Sequence, residues 1–185
     1  MGHLSWTLTW ENDISDEWHE ALTGMLARAY PRSAELFRER RSWSGARPEA
    51  RVVGSVDDRP VAHLGLLRRF LRVPETGASL LVGDVGLVAV DPDFQGTGVG
   101  RELLGQTTRA LTDLGLPFGF LTCRPALVPF YRSGGWQLVD GQVTRMIHND
   151  HHSWVYHGPG MALPVHAPMS DWPREDTVDR NGLGV

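Results

Sequence analysis

Residues Ser79 to Val90 form an almost wholly apolar run bounded by turn residues. Gln95-Gly96-Thr97-Gly98-Val99-Gly100 follows within a few positions, and then Leu103, Leu104, Thr107, Ala110, Leu111 and Leu114 recur at helical spacing. This order constrains the fold more than any other feature of the chain. An apolar run of that length without alternation is expected for a strand buried on both faces. The leucine stripe, closed by Gly115, reads as an amphipathic helix with a glycine stop. A glycine-rich turn that opens a helix leaves several N–H groups at the helix N-terminus, where the dipole also favours negative charge. Glycines there let phosphate oxygens approach the backbone closely. No Lys-Ser/Thr pair follows the last glycine, which excludes the P-loop form, and the spacing misses the dinucleotide fingerprint. By itself the loop does not separate an anion site from a purely steric strand-to-helix connection.

The surrounding chain supplies the rest of an α/β (α+β) architecture. Leu4 to Trp10 alternates Leu and Trp with Ser and Thr, a half-buried strand pattern. Asp16 is placed to cap a helix over roughly Trp18 to Tyr30, which Pro31 stops. Arg38 to Arg51 is basic and without a period, and reads as a surface loop or short helix. Ala50–Val56 and Val61–Val73 flank Asp57-Asp58-Arg59-Pro60 and predict a hairpin. A turn at Pro74 to Gly77 leads into the long apolar strand. After the leucine helix come a strand over Pro117–Thr122, a short helix over Ala126–Arg132, and strands over Trp136–Val139 and Val143–His148, completing a mixed sheet. From Asn149 onward the chain is rich in His, Pro, Gly and Trp and reads as an irregular wrap, a candidate lid over a binding site.

At 185 residues with 41% hydrophobic content, the chain suffices for one good core and falls short of two ordinary domains, so a single domain over 1–185 is expected. No apolar run is long enough to cross a bilayer. The first residues show neither a basic start nor an apolar stretch of signal length, and the cytoplasm is the default expectation. A lone cysteine, Cys123, forms no internal disulfide and leaves no thiol cluster for zinc. All 18 basic residues are arginine, which excludes a lysine Schiff-base nucleophile. A net charge of −4 gives no basic field for nucleic acid and favours a cationic ligand if the acidic groups cluster.

Val88-Ala89-Val90-Asp91-Pro92-Asp93-Phe94-Gln95-Gly96-Thr97-Gly98-Val99-Gly100-Arg101 resembles the acyl-CoA signature of the GNAT superfamily, Gln/Arg-x-x-Gly-x-Gly/Ala after a V-x-P-x-x strand end. Phe130-Tyr131-Arg132-Ser133-Gly134-Gly135-Trp136 is similar to the same superfamily's aromatic segment. A closer resemblance covers nearly the whole chain. Arg41-Ser42-Trp43-Ser44-Gly45-Ala46-Arg47-Pro48-Glu49, Ala62 to Phe70, Met169-Ser170-Asp171-Trp172-Pro173 and Asp179-Arg180-Asn181-Gly182 resemble the nodulation protein A family. The central part and Asp171-Trp172 are also similar to aminoglycoside 2′-N-acetyltransferases.

These resemblances imply a GNAT fold, with a mixed, mostly antiparallel sheet flanked by helices. They imply an N-acyltransferase whose donor pyrophosphate is held by Gln95, Gly96, Thr97, Gly98, Val99, Gly100 and Arg101, and whose pantetheine runs along Leu87, Val88 and Val90. The implied acceptor is a small cationic amine on an amino sugar. The nodulation family implies an acyl carrier protein as donor, whereas the fuller phosphate loop here points to acyl-CoA.

Amine attack on a thioester needs a proton acceptor, stabilisation of the oxyanion and a proton for the thiolate, with no metal. Asp84, amid apolar neighbours on the central strand, is the candidate base, directly or through water. The alternative is an ion pair with a hairpin arginine such as Arg68. Tyr131 is the implied acid, its alternative being a core aromatic beside Phe130 and Trp136. Cys123 reads as a small buried residue rather than an acyl-enzyme nucleophile. The resemblance assigns Asp171 and Trp172 to the acceptor, Trp172 as a sugar platform, against a surface wrap with a tryptophan anchor. Arg40, Arg41, Trp43 and Arg47 are either a contact for an anionic donor or a solvated basic face. His63 is expected to be a hydrogen-bonded core histidine. The histidines between His148 and His157 lack the spacing of a metal site. The competing readings are acetylation of a polyamine, amino acid or protein N-terminus, and a non-catalytic acyl-CoA sensor.

Overall fold

The computed structural model describes residues 3–185. Two compact units share the chain, one taking residues up to Leu67 with Val85–Thr107 and Val185, the other Arg68–Asp84 with Thr108–Gly184. Three long elements pass from one unit into the other: β3 (Arg59–Arg72), β4 (Ser79–Val90) and α2 (Val99–Asp113).

In the first unit, β1 (Leu4–Trp10) pairs antiparallel with β2 (Ala50–Val56), from Leu4 opposite Val56 to Trp10 opposite Ala50. β2 in turn pairs antiparallel with β3. The hairpin turns through Asp57 and Asp58, both left-handed at φ 49° and 60°, the two-residue geometry that matches strand twist. Short acidic side chains tolerate that region better than bulkier ones. Helix α1 (Asp16–Ala29) starts one residue earlier in its cap than the sequence suggests: the Ser15 hydroxyl accepts from the Trp18 N–H, and Asp16 lies in the first turn. Its inner face buries Leu22, Met25 and Leu26 against Phe37, Val53, Leu87 and Ala89. Each such side chain contributes about 1.5–3 kcal/mol. Residues 31–36 make short 3-10 turns, and the basic segment after them stays outside regular structure.

In the second unit the first half of β4 runs parallel to β5 (Phe118–Thr122), with Val82, Gly83 and Asp84 opposite Phe118, Gly119 and Phe120. Beyond the short helix α3 (Val128–Arg132), the strand β6 (Gln137–Val139) pairs antiparallel with a strand of the tail. β7 (Val143–Ile147) pairs antiparallel with β8 (Ser153–Tyr156). The tail is therefore not irregular. β9 (Gly160–Pro164) lies between β5 and β6, and β10 (Thr177–Asp179) runs parallel to β7 and meets β3 at Asp179 opposite Arg72. These pairings tie the tail to the sheet at three short strands. β9 escapes sequence reading because its buried apolar run, Met161-Ala162-Leu163, is short, and β10 because it is three residues long. The unit's core joins Leu71, Val82, Phe118, Phe120, Ala162 and Val178 around Trp172.

Candidate active site

The strand end and the glycine loop form one continuous piece of the first unit. Leu87 is left-handed at φ 52° inside β4 and is 7% exposed, a backbone state that costs a leucine about 1–2 kcal/mol. Side chains occupy the carbonyls around it. Leu87 O lies 2.9 Å from His63 Nδ1, Val88 O accepts from the Tyr30 hydroxyl at 2.6 Å, and Val90 O accepts from Gln95 Nε2 at 3.1 Å. The Asp91 side chain accepts from the Asp93 N–H to start the 3-10 turn Pro92–Phe94, and is paired with Arg28. Thr97 Oγ1 then donates to Phe94 O at 2.6 Å.

Gly96 and Gly98 have φ of 76° and 97°, and a Cβ at either would meet nothing within 4 Å. The loop is thus shaped by glycine backbone, with open space where side chains would stand. Gln95, Thr97 and Arg101 are exposed, whereas Val99 is buried and anchors the start of α2. At the start of α2 the Arg101 and Glu102 amides turn back to Gly98 O, at 2.9 and 3.2 Å, and the Val99 and Gly100 amides come before the first of these bonds. The donor residues inferred from sequence, Leu87, Val88, Val90 and Gln95 to Arg101, therefore fall on one strand end, one loop and one helix start.

Asp84 lies in the second unit and is fully buried. Its carboxylate meets Arg69 Nε at 3.0 Å and Arg180 Nη2 at 3.2 Å, at ion-pair distance but without the alignment of hydrogen bonds. Burial raises the Asp84 pKa against the opposing pull of Arg180 and Arg69. Arg69 spends its other nitrogens on the Arg180 and Leu183 carbonyls, each at 2.8 Å. The Arg180 guanidinium lies 5.3 Å over the Phe120 ring. The ion-pair alternative for Asp84 is thus realised, with Arg69 and Arg180 in place of Arg68. Strand alternation explains the difference, since Arg68 is exposed on β3 while its neighbour turns inward.

Tyr131 is 6% exposed, with ring centroids 5.1 Å from Phe130 and 6.0 Å from Trp136. Trp172 is a correction: at 4% exposure, edge-on to Phe118 at 5.3 Å and stacked on Phe120 at 5.8 Å, its ring is a core element and offers no platform to a sugar. Its indole N–H donates to Gln142 Oε1 at 3.2 Å. Its neighbour Asp171 is exposed. A cavity of about 280 Å³ that sequence reading missed lies beside Trp172, with Asp140, Glu175 and Asp176 in its wall. Those acidic residues are scattered in turns, where no motif marks them.

The remaining candidates resolve by their partners. Burial raises the Cys123 thiol pKa, which disfavours the thiolate an acyl-enzyme needs. Arg40 pairs with Asp16 and Glu20, Arg47 shares Glu11 with Arg51, and Arg41 donates to the Trp43 and Ser44 carbonyls. His63 is fully buried and hydrogen-bonded, as expected. His148 pairs with Asp150, and among the described residues no group of three or more His, Cys, Asp or Glu is placed to hold a metal ion. No helix among them is long and apolar enough to cross a membrane.

The architecture recurs in solved structures. The GNAT family N-acetyltransferase YhbS of Escherichia coli, solved in complex with CoA, superposes with a TM-score of 0.66 over 98% of this chain and 91% of its own, at 15% identity. An acyl-CoA N-acyltransferase from Pseudomonas aeruginosa gives 0.60 over 87% and 99%, at 18% identity. A mixed, mostly antiparallel sheet with flanking helices and this strand–loop–helix is the fold of the GNAT class. Across its full length, residues 1–185, the chain matches the family model for Nodulation protein A (NodA), and it belongs to that family. The nodulation protein A of Bradyrhizobium sp. (strain NC92) is 36% identical over 97% of this chain and 90% of the relative. That of Mesorhizobium plurifarium is 36% identical over 97% and 96%.

Proposed function

We propose that the chain transfers an acyl group from acyl-CoA to the amine of an amino sugar of the glucosamine or chito-oligosaccharide type by direct attack. The observation that carries the donor half is the open glycine cradle: Gly96 and Gly98, both left-handed, leave the space that any side chain would narrow. Backbone amides in such a loop, at a helix start, suit a pyrophosphate. The acceptor half rests on family membership at 36% identity. The fuller phosphate loop supports CoA in preference to a carrier protein, and the bound CoA of the YhbS structure agrees with it.

In the proposed reaction the amine nitrogen bonds to the thioester carbon, the C–S bond breaks, the amine proton passes to a base and the thiolate takes a proton from an acid. Asp84 is the proposed base in its water-relayed form, since a carboxylate with no exposed surface does not touch an amine directly. Burial, which raises its pKa, makes it a stronger proton acceptor, and its arginines oppose that. Tyr131 is the proposed acid, and that role rests on its motif. Asp171 is retained as a contact for the acceptor, on the same ground, while Trp172 is not.

The test is thiol release from acetyl-CoA and a longer acyl-CoA with glucosamine, chito-oligosaccharides, aminoglycosides, polyamines and amino acids as acceptors. Turnover with amino sugars above the other amines is the expected result. Turnover confined to polyamines or amino acids overturns the acceptor. CoA binding with no turnover on any amine overturns CoA as the acyl donor and directs the assay to carrier-bound acyl groups.

A further inference from the structure

Buried polar groups of the first unit converge on one peptide plane of β4. Burial and the nearby Arg51 charge push the His63 pKa down to about 3, so the ring is neutral near pH 7. A carbonyl only accepts, so the 2.9 Å contact with Leu87 O puts the ring proton on Nδ1. Nε2 is left as the acceptor, and Arg51 Nη1 lies 3.2 Å from it. Arg51 is itself fully buried, gripped by Glu11 through Nε at 2.6 Å and Nη2 at 3.0 Å, and donates from Nη1 to Ser42 O at 2.8 Å. Burial pushes the Glu11 carboxyl up, but hydrogen bonds and charge from Arg51 and Arg47 outweigh it, and the net shift is downward. The chain Glu11, Arg51, His63, Leu87 is therefore a directed relay with one tautomer.

A trans peptide is planar, and its C=O and N–H point in opposite directions. Whatever holds the Leu87 carbonyl therefore aims the Val88 N–H the other way. The Tyr30 hydroxyl does the same one plane later, holding Val88 O and with it the Ala89 N–H. These two planes follow the left-handed Leu87, a state that persists only when its surroundings hold it. We propose that His63 is a positioning residue: by holding the Leu87 carbonyl it keeps the strand kinked and aims the Val88 N–H at the acyl donor, steadying the thioester oxygen as negative charge develops. This rests on the reading above that the donor lies along Leu87 to Val90.

Two conservative variants separate positioning from packing. In His63→Asn the side-chain amide nitrogen stands where Nδ1 stood, so the hydrogen bond to Leu87 O survives and the one from Arg51 is broken. In His63→Gln the amide reaches the Nε2 position, so the bond from Arg51 survives and the one to Leu87 O is broken. With folded fractions matched by circular dichroism, His63→Gln is expected to lower kcat roughly thirtyfold with acyl-CoA KM changed less than about threefold, while His63→Asn restores kcat to within about threefold of the parent. Equal losses in the two variants, or an unchanged kcat in His63→Gln, overturn the inference. Should His63→Gln not fold, Tyr30→Phe reads the neighbouring plane: a drop of roughly fivefold in kcat supports the positioning device, and an unchanged kcat overturns it. A parent that releases no thiol from any acyl-CoA sinks the donor reading and this inference with it. A parent that does so while His63→Gln keeps its kcat sinks this inference alone.

Discussion

The first unit buries a guanidinium, Arg51, among a carboxylate, a neutral imidazole and a backbone carbonyl that all meet it within 3.2 Å. The second buries a carboxylate, Asp84, between two guanidiniums at similar distances but out of line with both. Both have two guanidiniums on one carboxylate, since Glu11 is shared by Arg51 and Arg47. In the first, direction is satisfied at every contact, whereas in the second the acid and its arginines meet at ion-pair distance. The difference teaches how each holds its groups: aligned hydrogen bonds fix the orientation of what they join, whereas an ion cluster tolerates loose geometry.

The largest effect is expected at the ion cluster. Asp84→Leu leaves two arginine charges without their partner and should cost about 3–5 kcal/mol of stability, read as a lower urea midpoint. Adding Arg180→Met should recover part of that loss. If Asp84→Leu costs under about 1 kcal/mol, the cluster is not holding the second unit and the contrast collapses.

The next effect is pH dependence at the other cluster. The folded pKa of His63, about 3, lies below its ordinary 6.5, so the unfolded chain takes up the proton first. His63 therefore costs no stability above pH 6.5 and progressively more as pH falls toward 3, by at most about 1.4 kcal/mol per pH unit. Urea midpoints of the parent at pH 7, 6 and 5 should fall, and those of His63→Asn should fall less. Equal slopes would show that the imidazole is not kept neutral by its relay.

Smaller stability effects are expected where no buried polar group is involved. Gly98→Val, at φ 97° on the open loop, should cost about 1–2 kcal/mol of stability while weakening CoA binding at least roughly tenfold by calorimetry. Unchanged CoA affinity would detach the loop from donor binding. Arg40→Ala breaks exposed pairs with Asp16 and Glu20 and should shift stability by less than about 0.5 kcal/mol.

Much of this frame was legible in residues alone. β1, β2 and β4 fall on their expected bounds because alternation, an Asp-Asp turn and an unbroken apolar run are local signals. The glycine loop was legible for the same reason. The tail strands were not, because β10 becomes a strand only through partners on β7 and β3. Nor was Leu87 readable as left-handed, since nothing in a leucine marks that backbone state. Trp172 carried the right motif and the wrong role: only Phe118 and Phe120, distant in sequence, show that its ring is buried. Asp84 was legible as a buried carboxylate, and its second arginine was not, because it comes from the far end of the chain.

That far arginine sets an order of events during translation. A ribosome delivers Arg69 and Asp84 together but supplies Arg180, and the strand β10 just before it, only after β5 to β9 have been made. Until then the acid has one guanidinium where the finished protein has two, and β7 lacks its parallel neighbour. The first unit has almost all its residues by then, so a nascent chain can assemble its strands and glycine loop while the second unit waits for its last partner.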